Sequence, residues 1–448
     1  EPWMGWSRRA LDNAKIRFSA GSMGNGNVSP YSYTSEMTVS TADDIVLGGS
    51  YPSYTSVGST VPVSLTWEKS TTYDVGLDLD FFNNRLSVSG DYYRRYTTDM
   101  YTPSISLPSV YGTTSPKGNN AELRTTGWEL SLTWRDSFKL GGKPFDYSIK
   151  AMVWDSKSVI TKYVNDTGSL GTVKGFIENG GSPSSYYVGM TVGEIWGYTV
   201  AGLFRDQADI DSSAIHDFVQ ASDKVTRPGQ VKIADLDGNG FIDPGNFAVD
   251  DHGDLRIIGN QSPRYRYGVN LSARWNGIGL SVFLQGVGAR DWYPGSDAGM
   301  FWGKYGRPFF ALIPSIHNYT DDMYSAERNN WDTAYWPRMT TYQSNGTKNW
   351  TRLLEIPNTR YIQSAAYLRV KNIQLDYSFP KHICSAIRLQ GLKIYVNAEN
   401  LFTFTPLHKY APNFDPEGLS YDSDFASAAD GYTYPILKSV TVGVNITF

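Results

Sequence analysis

The sequence predicts an all-β fold, a transmembrane antiparallel β-barrel of which this chain is a carboxy-terminal portion of about eleven strands. Three observations predict it. Apolar and polar residues alternate with period two over many separate stretches, which gives each strand one greasy and one wet side. The connections between those stretches alternate short and long. Aromatic residues, 14% of the chain, gather near the strand ends, while charged residues are only 19%. No run of apolar residues is long enough for a spanning helix, which leaves strands as the way across a membrane.

The strands follow in order. They are expected near 13–23, 31–40, 72–82, 85–98, 122–135, 146–160, 264–275, 278–290, 366–379, 389–404 and 435–448. In TYDVGLDLDFF, Tyr73, Val75, Leu77, Leu79 and Phe81 oppose Asp74, Asp78 and Asp80. In GWELSLTW, Trp128, Leu130, Leu132 and Trp134 oppose Glu129 and Thr133. The closing SVTVGVNITF puts Val440, Val442, Val444, Ile446 and Phe448 on one side. No charge falls on the apolar side of these stretches. Arg or Lys facing mid-bilayer lipid costs about 2–4 kcal/mol, whereas a charge facing the lumen stays wet. The other face carries Asp74, Asp78, Asp80, Asp91, Glu129, Lys150, Arg274, Lys393 and Glu399, either as a polar path or as ordinary solvated wall.

The short links are 24–30, Asn83-Asn84, 136–145, Asn276-Gly277 and 380–388; the long ones are 41–71, 99–121, 161–263, 291–365 and 405–434. Outer-membrane barrels have short periplasmic turns and long outer loops, so 161–263, 291–365 and 405–434 are expected outside. Within 161–263, VGEIWGYTVAGLF reads either as a hairpin inside a loop or as part of a further pair of spanning strands. Eleven strands that begin and end in the same direction imply a half of something larger. A plugged barrel of about 22 strands fits.

Composition removes other classes. Net charge is −4, so no basic footprint for nucleic acid is expected. Cys384 is the single cysteine, and the five histidines are scattered. The opening EPWMGWSRRALD has neither the apolar core nor the small-residue cleavage site of a signal peptide. No G-x-S-x-G, H-E-x-x-H or phosphate-binding glycine loop occurs, and the chain is not expected to be an enzyme.

Two loop segments carry candidate sites. In DLDGNGFID, Asp235, Asp237, Asn239 and Asp243 stand at positions 1, 3, 5 and 9 of an EF-hand-like loop, with Gly240 at the turn and Phe241 offering a carbonyl. Position 12 is Asn246 instead of Glu, and Asp250 or Asp251 would have to complete the set. The loop either holds a Ca2+ or Mg2+ with a structural role or is ordered by Asx turns alone. Segment 291–365 is rich in aromatic rings, onto which sugars or peptides stack; Trp302, Tyr305, Trp331 and Trp336 are the candidates for substrate binding, against loop self-packing.

Several blocks, taken together and in order, resemble the SusC/RagA family of TonB-dependent outer-membrane transporters. They are LTWEKSTTYDVGLDLDFFNNRLSVSGDYYRRYTTDM, VGEIWGYTVAGLF, ADLDGNGFIDPGN with RIIGNQSPRYRYGVNLSARWNGIGLSVFLQGV, and YLRVKNIQLDYSFP with LKIYVNAENLFTFTP. The resemblance implies that residues 1–448 are the carboxy-terminal half of a TonB-dependent receptor β-barrel, with the plug and TonB-contacting segment lying outside them. It implies a SusD-like surface lipoprotein as a lid, energy from TonB–ExbB–ExbD, outer-membrane lipid around the wall, and import of oligosaccharides or oligopeptides. The alternatives are a passive porin and, from another class, a soluble β-rich glycan-binding protein.

Overall fold

The computed structural model describes residues 10–26, 34, 37–58, 65–103, 117–172, 181–215, 226–294, 298–302, 322–338, 357–419 and 436–448. Its strands are β1 (Leu11–Asn25), β2 (Met37–Thr41), β3 (Ser53–Val57), β4 (Glu68–Phe81), β5 (Leu86–Pro103), β6 (Lys117–Leu140), β7 (Lys143–Lys162), β8 (Glu194–Tyr198) and β9 (Val200–Leu203). They continue with β10 (Val231–Ile233), β11 (Leu255–Asn260), β12 (Arg264–Trp275), β13 (Ile278–Ala289), β14 (Asp291–Trp292), β15 (Gln363–Ser364), β16 (Tyr367–Ser378), β17 (Gly391–Phe404) and β18 (Ser439–Thr447). Ten of these form one sheet in the order β1-β4-β5-β6-β7-β12-β13-β16-β17-β18. Every neighbouring pair is antiparallel, so the sheet is an up-and-down meander. No helix of the described residues is long and apolar enough to cross a membrane.

Cross-strand register lines up the apolar residues in rows. Ile149, Leu271, Val282, Ile373, Ala398 and Val440 are successive partners across six strands. One row nearer the long connections, on the same face, lie Leu79, Val88, Leu132 and Ala151. Among the described residues no second layer covers these side chains. Phe18, Tyr73, Val75, Leu77, Val440 and Val442 all stay exposed. The opposite face is ionic. Arg17 lies between Asp78 and Asp91, each at 2.8 Å. It crosses directly over Gly76, its partner in register, and a Cβ there would collide with the guanidinium and with Asp91. Asp376 is likewise held between Lys393 at 3.4 Å and Arg274 at 3.9 Å.

Short turns close one end. Asn276 and Gly277 both take positive φ, 48° and 88°, as a two-residue hairpin requires. Gly141 and Gly142 do the same between β6 and β7, which pair right up to Leu140 and Lys143. A short helix, Lys381–Ala386, joins β16 to β17. All the long connections leave from the other end.

One expected strand is not in the wall. β1 pairs directly with β4; of the segment expected near 31–40, residues 31–33, 35 and 36 lie outside the described residues, and its described part enters β2, which pairs with β3 in a separate ribbon. A tilted spanning strand needs about 9–11 residues. Period-two alternation was present at 31–40, but the direct pairing of β1 with β4 leaves no place for that strand between them. With the 24–30 and 41–71 links merged into one long connection, β1 runs opposite to β18, where the same direction was expected.

Segment 161–263 adds no described strand to the wall. β8 pairs with β11 and β9 with β10, in two small sheets of their own. VGEIWGYTVAGLF is therefore loop structure.

Candidate functional site

The hydrophobic core of this protein is built mainly from its loops. Leu170, Ile195, Tyr198, Leu203, Val231 and Ile242 from the β7–β12 connection join Trp292, Tyr293, Phe301 and Trp302, then Trp336 and Tyr361, then Leu407 and Phe414. The connection is tied to the top of the wall by backbone bonds. Ile160 and Met190 share one of 2.9 Å, Gly189 donates to Ile160 at 2.8 Å, and Val192 donates to Ser158 at 3.0 Å.

Polar side chains cross-brace this core. Asn358 donates to the Tyr293 hydroxyl at 3.0 Å, and its carbonyl oxygen accepts from the amides of Arg360 and Tyr361. Gln363 donates to the Tyr335 hydroxyl at 3.0 Å and to the Tyr361 carbonyl at 2.7 Å. Tyr335 stacks on Tyr410, centroids 3.7 Å apart. Burial pushes the phenols of Tyr361 and Tyr335 well above the ordinary tyrosine range, so both remain neutral, Tyr361 donating to the Tyr335 carbonyl at 3.3 Å and Tyr335 accepting from Gln363.

Trp302 and Trp336 belong to this interior. They are 1% and 0% exposed. Trp336 stacks on Tyr361 at 5.6 Å, and Trp302 meets Phe301, Trp336 and Tyr361 edge-on. Among the described residues both rings serve the interior of the loop core, the self-packing that was the alternative to substrate binding. The physical reason is that rings so dense in sequence cover one another before they cover anything else. Trp331 packs on the rim of the core and stays partly accessible. Tyr305 lies outside the described residues.

The connection after β17 is clamped by two arginines that the sequence reading missed. Arg369, 3% exposed in its side chain, reaches Asp415 at 2.7 Å and Glu417 at 3.1 Å, and Lys371 reaches Glu417 at 2.8 Å. Arg290 donates to the carbonyls of Pro416 and Leu419 and, at 3.1 Å, to that of Gln261. Burial raises the Asp415 carboxyl, but the Arg369 hydrogen bond, the Glu417 amide and the Arg369 charge outweigh it and hold it below the usual carboxylate range.

In the acidic loop, Asp235 accepts from the amides of Gly238 and Gly240 at 2.6 and 3.0 Å, which lower its carboxyl. Asp237 and Asn239 cap the next two turns, and Asn239 accepts from the Phe241 amide at 2.7 Å. The Phe241 ring is exposed. Asp243 accepts from the Gly245 amide at 2.7 Å and from the Asn239 side-chain amide at 3.2 Å. The three carboxylates with oxygens within 4.8 Å of one another are Asp235, Asp237 and Asp254. Asp254 replaces the expected Asp243, Asp250 or Asp251; its neighbour Asp251 takes the Asn246 amide instead. Asp254 is fully buried and accepts from Leu236 at 2.6 Å and Asp243 at 3.1 Å. Burial, and then the charges of Asp237 and Asp235, raise its carboxyl. Three hard oxygen donors of one charge suit a hard divalent cation. No local spacing announces Asp254, because the β11–β8 pairing brings it there.

Comparison with known proteins follows this geometry. Residues 9–250 match the family model described as TonB dependent receptor-like, beta-barrel. The chain belongs to that family. TonB-dependent receptor P3 of Formosa agariphila is 26% identical to it over 442 residues, 97% of this chain and 39% of the relative. TonB-dependent receptor SusC of Bacteroides thetaiotaomicron is 23% identical over 392 residues, 86% of this chain and 32% of SusC. Among solved structures, the RagAB peptide transporter superposes with a TM-score of 0.67 at 19% identity, covering 98% of this chain and 41% of that one. The RagAB peptide importer in its open-open state gives 0.68 at 18% identity. The receptor chain thus spans about two-fifths of the length of these proteins or less, and it shares the fold of RagA-type barrels across its ionic wall and its loop core.

Proposed function

We propose that the chain supplies part of the wall and the outer loops of an outer-membrane importer that takes up nutrients with energy from TonB–ExbB–ExbD. The observation that carries this reading is the two-faced wall: apolar and unpacked on one side, ionic on the other, with all long connections at one end. An outside that is apolar through its middle suits lipid, and a charged inside suits a wet lumen. The loops 161–263, 291–365 and 405–434 would face the outside beneath a SusD-like lipoprotein. The remainder of a barrel of about 22 strands, with its plug, would come from the rest of the protein. The substrate class is oligosaccharide or oligopeptide, as the names of RagAB relatives suggest for peptides. Trp331 is the described aromatic best placed to touch it. The chain carries structure and recognition, not catalysis.

The test is uptake by cells that express the full receptor with its lipoprotein. Import is expected to vanish when TonB is deleted. Uptake that persists without TonB would replace this reading by the passive porin. Substrate retention by a soluble, detergent-free fragment would favour a glycan-binding protein instead.

We also read the acidic loop as a structural Ca2+ or Mg2+ site formed by Asp235, Asp237 and Asp254. Added Ca2+ is expected to raise the melting temperature of the receptor and to slow amide exchange at Gly238 and Gly240. Asp237→Asn should remove the response. An unchanged response in that variant, or none in the parent, leaves the loop to its Asx turns.

A further inference from the structure

The outward face of the wall is uncharged through its middle and becomes basic at one level. Register places Arg94, Thr126 and Lys157 in one row across β5, β6 and β7, and Tyr96, Arg124 and Val159 in the row above. The row below is Tyr92, Trp128 and Asp155. By alternation Arg94, Arg124 and Lys157 share the face of Val75, Leu130 and Val153. All three are exposed.

None of the three has a carboxylate within salt-bridge distance among the described residues. The two carboxylates in the neighbouring rows are already taken. Asp155 is buried and accepts from Arg264 at 2.6 Å, and Glu122 pairs with Lys162 at 3.6 Å. Three cations without a carboxylate partner thus stand on this face, Arg94 and Lys157 two strand spacings or about 10 Å apart, and Arg124 on the strand between them one row higher. Their flexible arms reach a common point.

The level is set by two aromatic tiers. Phe82, Trp134 and Tyr147 cluster at the turn end, Phe82 and Trp134 6.4 Å apart, with Trp134 donating to Tyr147 at 3.0 Å. Tyr73, Tyr92, Tyr96 and Trp128 form the other tier, at the end of the long connections. Arg94 stands on β5 past Leu86, the partner of Trp134, by roughly 26 Å along the strand at about 3.3 Å per residue. A tilt of about 40° makes that about 20 Å of height, against an apolar band about 25 Å tall. Arg94 and Lys157 therefore sit about 5 Å below the upper edge of that band, within reach of the headgroups for long side chains, and Arg124, one row higher, sits at the edge.

A groove of about 780 Å3 runs down from Arg94 between Phe18, Tyr73, Val75, Tyr92 and Tyr96. Asp74, which also borders it, belongs to the other face by alternation. The Arg94 guanidinium donates to the Tyr92 hydroxyl at 3.4 Å, which holds it at the upper edge. An apolar groove with a cation at its head fits an acyl chain that ends in an anion.

We propose that Arg94, Arg124 and Lys157 bind the phosphate of a phosphorylated lipid in the outer leaflet, with an acyl chain of that lipid in the Phe18–Tyr92 groove. The inference rests on the wall being membrane-spanning. Guanidinium–phosphate pairs are charge-assisted and bidentate, and an interface of low dielectric strengthens them. Phosphate is the chemistry that matches three cations with no carboxylate. A zwitterionic headgroup brings its own ammonium and would leave the cluster unmatched.

The experiment uses the full receptor in detergent, examined by native mass spectrometry with three lipids: diphosphoryl lipid A, its dephosphorylated form, and phosphatidylethanolamine. The parent protein is expected to retain the diphosphorylated lipid over the other two. The triple variant R94Q/R124Q/K157Q should retain it about tenfold less. K15Q/K150Q, which neutralises two lysines of the opposite face, should behave as the parent. Insertion into phosphatidylethanolamine vesicles is scored for every protein in parallel. Equal retention by the parent and the triple variant, with insertion intact, overturns this proposal and leaves the membrane reading standing. Failure of the parent to insert overturns the membrane reading itself. Loss of all three lipids together in the triple variant also overturns the proposal, because it marks a general effect on the wall.

Discussion

Trp336→Ala is expected to open the loop core. The ring is fully buried, stacked on Tyr361, tilted against Phe301 and in edge contact with Trp302. Replacing so large a buried ring by a methyl group costs about 3–5 kcal/mol in transferred surface and residual cavity. The wall does not depend on this ring, so the loss falls on the local stability of the loops. Hydrogen exchange on the full receptor reads it. The Tyr324 amide, which donates to the Trp336 carbonyl at 2.9 Å, should exchange about a hundred- to a thousandfold faster. Trp331→Ala, on the rim of the same core, should change it much less. If Trp336→Ala left exchange untouched yet weakened substrate retention, the ring would be a ligand surface after all.

Arg369→Met carries the second large effect. Removing one partner of a buried ion pair leaves charge without compensation and costs about 3–5 kcal/mol. Here Asp415 would lose its partner and Glu417 would keep only Lys371. The expected result is release of the 406–419 connection, seen as tryptic cleavage after the exposed Lys409 that the parent resists. The triple variant R369M/D415N/E417Q should recover much of the resistance, since no buried charge is then stranded. Cleavage in the triple variant as fast as in R369M would mean that the aliphatic packing of Arg369, not its charge, holds the loop. The pH dependence has a definite sign. Asp415 titrates below its unfolded value, so its contribution is complete above roughly pH 4 and is lost as pH falls through the depressed folded value. The clamp should hold throughout neutral conditions and fail only in strong acid.

Much of the wall was legible because a barrel strand writes its two environments into alternate residues. Asn276-Gly277 and Asn83-Asn84 announced their turns in the same local way. Where the reading failed, the deciding fact was not local. At 31–40 the alternation was real, but β2 finds its partner at Ser53–Val57 and β1 pairs with β4 directly. Asp254 and Arg369 act on segments far away in sequence, and only pairing of β8 with β11 and the return of the chain past β16 bring them into place. Arg369 did leave a trace. In YLRVK it and Lys371 alternate with apolar residues at the loop end of a strand, where a wet charge has least need to be. The aromatic wealth of 291–365 was legible as composition, but composition does not say whether rings turn toward one another or toward a guest.

The loop core has a consequence for how such a receptor changes over time. A conventional surface loop is free to vary but has no shape of its own to keep. These loops share an interior of Trp292, Phe301, Trp302, Trp336, Tyr361 and Phe414, so they behave as a second storey with its own framework. Residues that face outward from that framework can be rewritten without disturbing either it or the wall beneath. Lineages that meet new nutrients would then be expected to redecorate the upper storey and leave its joists in place.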